Sequence, residues 1–180
     1  MSPVKCLADL LTSLRLLLAF VIAYLGYAAG ASALPLVMGL LIISWTTDSL
    51  DGFFARKAPE PEHSWLGDHD ADVDVCMFLS KLVYLAFSGY IDPMAAWAYV
   101  LIAGLTVIRY RARARFVILC FVVPIGALMI WVAVQEAPVW GWRAVWWCLL
   151  AMVLNRDRFS VLVRQFFADM RSMRSTKPQE

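Results

Sequence analysis

Six aspartates crowd into the stretch WTTDSLDGFFARKAPEPEHSWLGDHDADVDV, which begins at Trp45, in a chain that is otherwise mostly apolar. Asp48 and Asp51 close one apolar run, and Asp68, Asp70, Asp72 and Asp74 open the next. On a helix turning about 100° per residue, Asp48 and Asp51 lie within about 60° of each other and share a face. Asp70 and Asp74, four apart, share a face of the following helix. Asp68 and Asp72 form a rival pair with the same spacing, pointing roughly the opposite way. Extending each stripe separates them. From Asp70 and Asp74 the line continues through Met77, Lys81, Tyr84 and Ser88, a polar-enriched stripe suited to a bundle interior. From Asp68 and Asp72 it continues through Val75, Leu79, Leu82 and Ala86, a stripe suited to lipid or packing contact. Asp70 and Asp74 are therefore expected to face inward, with Asp68 and Asp72 in the first helical turn, where negative charge suits a helix N-terminus.

Two facing helices, each offering two carboxylates, make a site of hard oxygen donors. Mg²⁺, Mn²⁺ or Ca²⁺ suits such a site, and the lack of His or Cys in the set disfavours Zn²⁺. The two histidines, His63 and His69, lie among polar residues and read as solvated or capping groups. Cys6, Cys76, Cys120 and Cys148 are scattered without a C-x-x-C pair and read as small apolar helix residues.

The elements that must position these carboxylates are written in the composition. Of 180 residues, 62% are hydrophobic and 17% charged, and the mean hydropathy is +0.68, outside the range of soluble domains. The apolar residues fall into six runs, roughly 10–30, 34–54, 73–90, 94–109, 116–135 and 140–155, of about the length that crosses a bilayer. Lys5, Arg56, Lys57, Arg109, Arg111, Arg113, Arg115 and the tail from Arg156 to Lys177 fall on one side of a six-span arrangement. The opposite connections, AAGASALP, SGYIDPM and VQEAPVWGW, carry no Lys or Arg until Arg143. This asymmetry predicts both termini in the cytoplasm. The expected fold is an all-α integral membrane protein with six transmembrane helices and short loops over residues 1–155. Residues 156–180 are expected to form a basic amphipathic and polar cytoplasmic tail at the membrane surface. No cleavable signal peptide is expected, since the first run is too long and no polar domain follows it. The tryptophans of VWGWRAVWW read as an interfacial aromatic belt.

The pattern Asp48-x-x-Asp51-Gly52-x-x-Ala55-Arg56, followed by Asp70-x-x-x-Asp74 fourteen residues after Arg56, resembles the signature of the CDP-alcohol phosphatidyltransferases. That family reads D-x-x-D-G-x-x-A-R, then eight or nine residues, then G-x-x-x-D-x-x-x-D. Leu66 stands where the remaining Gly is expected, and Gly67 follows one residue later. LADLLTSLRLLLAF is similar to the family's first helix, which commonly reads N-x-x-T-x-x-R: Thr12 and Arg15 match, and Asp9 replaces the Asn.

The resemblance implies an enzyme of phospholipid biosynthesis. An alcohol attacks the β-phosphate of a CDP-alcohol, CDP-diacylglycerol above all, and CMP leaves. It implies two divalent ions, Mg²⁺ or Mn²⁺, held by Asp48, Asp51, Asp70 and Asp74, with Asp74 as the general base that deprotonates the acceptor hydroxyl. Thr12, Gly52, Ala55 and Arg56 fall on the nucleotide side; small residues at 52 and 55 also suit close helix packing. Arg109 and Arg111, in VIRYRARARF, correspond to a region where related enzymes bind phosphorylated acceptors, and guanidinium groups suit phosphate. The same arginines also serve as a topology signal. Lys81 would either neutralise the acidic cluster or extend to the far interface. A homodimer in a bacterial inner membrane, its active site toward the cytoplasm and without nucleic-acid partners, completes the expectation. The carboxylates alone also fit a non-catalytic membrane protein that binds or passes cations, although this leaves Gly52, Ala55 and Arg56 at their offsets unexplained. A family member without turnover is a third reading, raised by the displaced Gly67.

Overall fold

In the computed structural model, residues 3–55, 70–110 and 114–154, together with Arg156, are described; the helix-end side chains of residues 3–9, 51–55, 70–71 and 114–119 are outside the described set. The described residues are all-helical, with no strand among them. Six α-helices follow one another: α1 (Pro3–Ala29), α2 (Leu34–Ala55), α3 (Asp70–Phe87), α4 (Pro93–Arg109), α5 (Ala114–Glu136) and α6 (Pro138–Leu154), with a 3₁₀ turn, Gly30–Ala33, joining α1 to α2. Their positions follow the six apolar runs of the sequence.

The stretch Leu10–Leu50 is long and apolar enough to cross a membrane, and Pro93–Arg109, Cys120–Glu136 and Pro138–Leu154 are shorter apolar helices. Leu10–Leu50 is not one straight rod. Residues 33 apart in a continuous helix would be separated by about 50 Å, yet Arg15 and Asp48 hydrogen bond at 2.8 Å. The chain therefore doubles back at the 3₁₀ turn, where Gly30 takes φ +56°, a conformation with little steric cost only for glycine. The carbonyl of Gly30 accepts a hydrogen bond from the Tyr84 hydroxyl at 3.2 Å, fastening the turn to α3.

α1 packs against both α2 and α3, and α5 touches α3, α4 and α6. The α1–α3 contact is close at Gly26, where an added Cβ would lie 2.9 Å from the Tyr84 Cα. Ile22, Leu34, Val37, Met38, Leu41, Leu85 and Met129 fill the centre between the helices. α4 starts at Asp92, whose carboxylate accepts from the backbone N–H groups of Met94 (2.8 Å) and Ala95 (3.1 Å), with Pro93 at the first helical position. α4 then runs back along α3, with Phe78 and Tyr99 rings 6.2 Å apart and the Tyr99 hydroxyl donating to the Phe121 carbonyl on α5 at 2.9 Å. The outer faces are apolar: Phe20, Tyr24, Trp97, Leu105, Trp131 and Trp146 are all exposed.

The tryptophans of the last hairpin divide between two roles. Trp142 and Trp146 point outward. Trp140 packs against Gly39, and Trp147 donates from Nε1 to Thr46 Oγ1 at 3.0 Å while its ring lies 5.6 Å from that of Trp45. Two of them thus seat α6 on α2. Cys76, Cys120 and Cys148 are free thiols.

Candidate functional site

The acidic stretch joins the C-terminal end of α2 to the start of α3. Both Asp70 and Asp74 belong to α3, one turn apart, and Asp48 and Asp51 lie one turn apart near the end of α2. The α3 stripe below Asp74 is the buried one: Met77, Lys81 and Tyr84 are buried and Ser88 is half-buried. On the other stripe Asp72 and Val75 are exposed, while Leu79 and Leu82 turn into packing contacts. Asp68, His63, His69, Gly67 and Arg56 lie outside the described residues, as do Arg111 and the 157–180 tail.

The residue that organises this end of the bundle is Arg15. It sits three residues, nearly a full turn, beyond Thr12 on α1, and both side chains are buried. Arg15 Nη1 donates to Asp48 Oδ1 at 2.8 Å, and Arg15 Nη2 donates to Asp74 Oδ1 at 2.6 Å. One guanidinium therefore ties three helices together. Its planar fork suits this, because two N–H groups can address two carboxylates at fixed angles. The geometry is one-sided: Arg15 is 2% exposed, whereas the Asp48 and Asp74 side chains are 57% and 58% exposed. The cation forms the floor, and the carboxylates open away from it.

Two further polar contacts support the floor. Ser44 donates to the Met77 sulfur at 3.8 Å, linking α2 to α3 one turn deeper. Thr47, next to Asp48, is buried and returns its hydroxyl to the Ser44 carbonyl at 2.8 Å. Lys81 lies about two turns beyond Asp74 on the same face and is only 6% exposed. Its side chain is enclosed by the bundle, within electrostatic reach of Asp74.

Asp48 and Asp74 are suited by donor type to a hard divalent cation, and Arg15 demonstrates that positive charge is accommodated between them. Among the described residues, no cluster of three or more Asp, Glu, His or Cys side chains forms. The Asp51 and Asp70 side chains, outside the described set, are the members that the sequence pattern adds. Gly52 and Ala55 occupy the last turn of α2. Arg109 ends α4, exposed, with its guanidinium carbon 5.5 Å from the centroid of the Tyr110 ring. The structure does not bring Arg109 into contact with Asp48 or Asp74.

Sequence reasoning identified Arg15 only as a match to a family helix and gave it no role. A guanidinium within an apolar run is itself a signal, because it needs a carboxylate or water to be tolerated there. Compared with models of known protein families, with curated proteins and with solved structures, the chain matches none. The chemistry assigned to it rests on its own residues.

Proposed function

We propose that this chain is an integral membrane enzyme that transfers the phosphatidyl, or another phospho-alcohol, group of a CDP-alcohol to an alcohol acceptor and releases CMP, with CDP-diacylglycerol as the favoured donor. The observation that carries this reading is that both ends of the D-x-x-D-G-x-x-A-R … D-x-x-x-D pattern, Asp48 and Asp74, meet on one buried guanidinium. The two ends of the acidic pattern are thus joined in space through Arg15. A protein that merely passes cations has no need for small residues at 52 and 55 followed by Arg56.

In this reading six helices span the membrane, both termini are cytoplasmic, and the open side of the carboxylates faces the cytoplasm. Asp48, Asp51, Asp70 and Asp74 would hold two Mg²⁺ or Mn²⁺ ions, which when bound neutralise the diphosphate and the charge developing on the attacking and leaving oxygens. Asp74 takes the proton from the acceptor hydroxyl as its oxygen bonds to the β-phosphorus. The phosphoanhydride bond breaks and CMP departs with the bonding pair. Gly52 and Ala55 leave room for the nucleotide against α2, with Thr12 and Arg56 beside it. Arg109 and Arg111 belong to the acceptor side, a phosphorylated alcohol being the class that guanidinium groups suit.

The test is CMP release by the purified chain from CDP-diacylglycerol with Mg²⁺ or Mn²⁺ across a panel of alcohols, including glycerol phosphate, inositol phosphate, inositol and serine. Release that needs both an alcohol and a divalent ion supports the reading. No CMP from any member of the panel, by protein that is monodisperse in detergent, counts against it.

A further inference from the structure

Arg15 has no part in the transfer step as described, yet it is more deeply buried than Asp48, Asp74 or Lys81. It lies on the inner side of two carboxylates that open outward. Lys81, deeper on the same face of α3, is buried within electrostatic reach of Asp74. Cations from substrate or solution would reach Asp48 and Asp74 from the open side, opposite a positive charge already bonded to both.

We propose that Arg15 is a positioning residue that acts as a built-in counter-cation: it joins Asp48 to Asp74 before any metal arrives, and it makes divalent-ion binding conditional on the substrate's diphosphate. This rests on the metal-dependent transfer reading. The argument is one of charge. The four motif carboxylates carry four negative charges, and Arg15 offsets one. Two divalent ions overshoot the remainder, and the ionised oxygens of the substrate's diphosphate take up the excess. At a partly buried site, where charges interact far more strongly than in water, the metal-only state is the unfavourable one. Metal and diphosphate then bind together, each raising the affinity of the other by the same factor. Without Arg15 the site is one charge more negative and takes metal without help.

Mn²⁺ binding to the full-length chain in detergent, read from the electron paramagnetic resonance signal of free Mn²⁺ with and without CDP and corrected for the Mn²⁺–CDP complex by a protein-free titration, tests this. The wild type is expected to bind Mn²⁺ about tenfold or more tightly with CDP than without it. Arg15→Gln is expected to raise the CDP-free affinity about tenfold and to shrink the CDP effect. Equal or weaker Mn²⁺ binding by Arg15→Gln overturns the proposal, and so does wild-type binding that ignores CDP. Should Arg15→Gln not yield folded protein, the wild type alone decides: Mn²⁺ and CDP together must raise the melting temperature by more than the sum of their separate effects, and additive shifts overturn the proposal. Wild-type protein that binds no Mn²⁺ under either condition defeats the metal-dependent reading itself, a result distinct from binding that is merely indifferent to CDP.

Discussion

At Asp74 the proposed reaction and the fold make different demands on one carboxylate. The reaction needs an acceptor for a proton; the fold needs a partner for a guanidinium that is almost wholly buried. Asparagine separates the two, because its amide oxygen still accepts from Arg15 while the basic group is gone. Asp74→Asn is expected to lower CMP release by 10²-fold or more, the usual range for a lost general base being about 10²–10⁴, with its melting temperature near that of the wild type. Wild-type turnover by Asp74→Asn would sink the base assignment. Asp72→Asn, on the exposed stripe, is the control and should stay within about twofold. Lys81 presents the opposite case. A buried ammonium with no direct partner among the described residues carries a desolvation cost that Coulomb attraction across two turns does not repay. Lys81→Met, of similar volume, is therefore expected to raise the melting temperature by a few degrees, and a fall would show that the charge holds the fold. The two acidic pairs are legible in the sequence because spacing along a single helix sets which carboxylates share a face. Arg15 is not legible in the same way. Its partners lie 33 and 59 residues away, and only the packing of α1 on α2 and α3 selects them.

The element that sets the position of Arg15 is α1, and its register against α3 is fixed where the two backbones come closest. At Gly26 an added methyl would stand 2.9 Å from the Tyr84 Cα. That neighbour is backbone and cannot rotate away, so α1 must shift. Gly26→Ala is expected to destabilise the bundle by about 1–3 kcal/mol, the usual cost of overpacking, and to weaken CMP release through the displaced guanidinium even though Gly26 is about 16 Å along the helix from Arg15. Asp92 provides the contrast at the opposite end of the bundle. Its carboxylate caps α4 and touches nothing in the site; Asp92→Ala should cost about 1 kcal/mol and leave turnover per folded molecule unchanged. Thermal melting paired with CMP release distinguishes the two variants, and equal behaviour would mean that α1 register does not control the site. The helices themselves are readable from hydropathy because each is one apolar run bounded by polar or turn residues. The division of labour among the tryptophans is not, since Trp140 and Trp147 differ from Trp142 and Trp146 only in which neighbour α6 meets.

For the molecule as a whole, the helical hairpins sort the chain into two ends of different chemistry. The 3₁₀ turn at Gly30–Ala33 is fastened to the last turn of α3 through Tyr84, and Tyr90, in the following connection, lies within electrostatic reach of Glu136 at the end of α5. These three connections therefore gather at one end. Arg15, Asp48 and Asp74 gather at the other, and α4 returns toward them to finish at Arg109. The apolar outer faces between the two ends suit hydrocarbon, and in the proposed orientation most Lys and Arg fall on the acidic-site side, with Arg143 the first after the turn-side connections. In the proposed topology a bilayer across the bundle leaves the turns outside and the site inside. Ser32 is an exposed residue of the first turn, and its hydroxyl reaches only the local Ala29 carbonyl, so cysteine is tolerated there. In a chain whose four native cysteines are replaced by alanine, Ser32→Cys is expected to react with a membrane-impermeant maleimide added to intact cells. Asp72→Cys, at the site end, should react only after the membrane is opened. The reverse pattern would turn the site to the outer surface, where a cytoplasmic CDP-linked donor cannot reach it. Equal labelling of both positions in intact cells would mean that the bundle does not span the membrane at all.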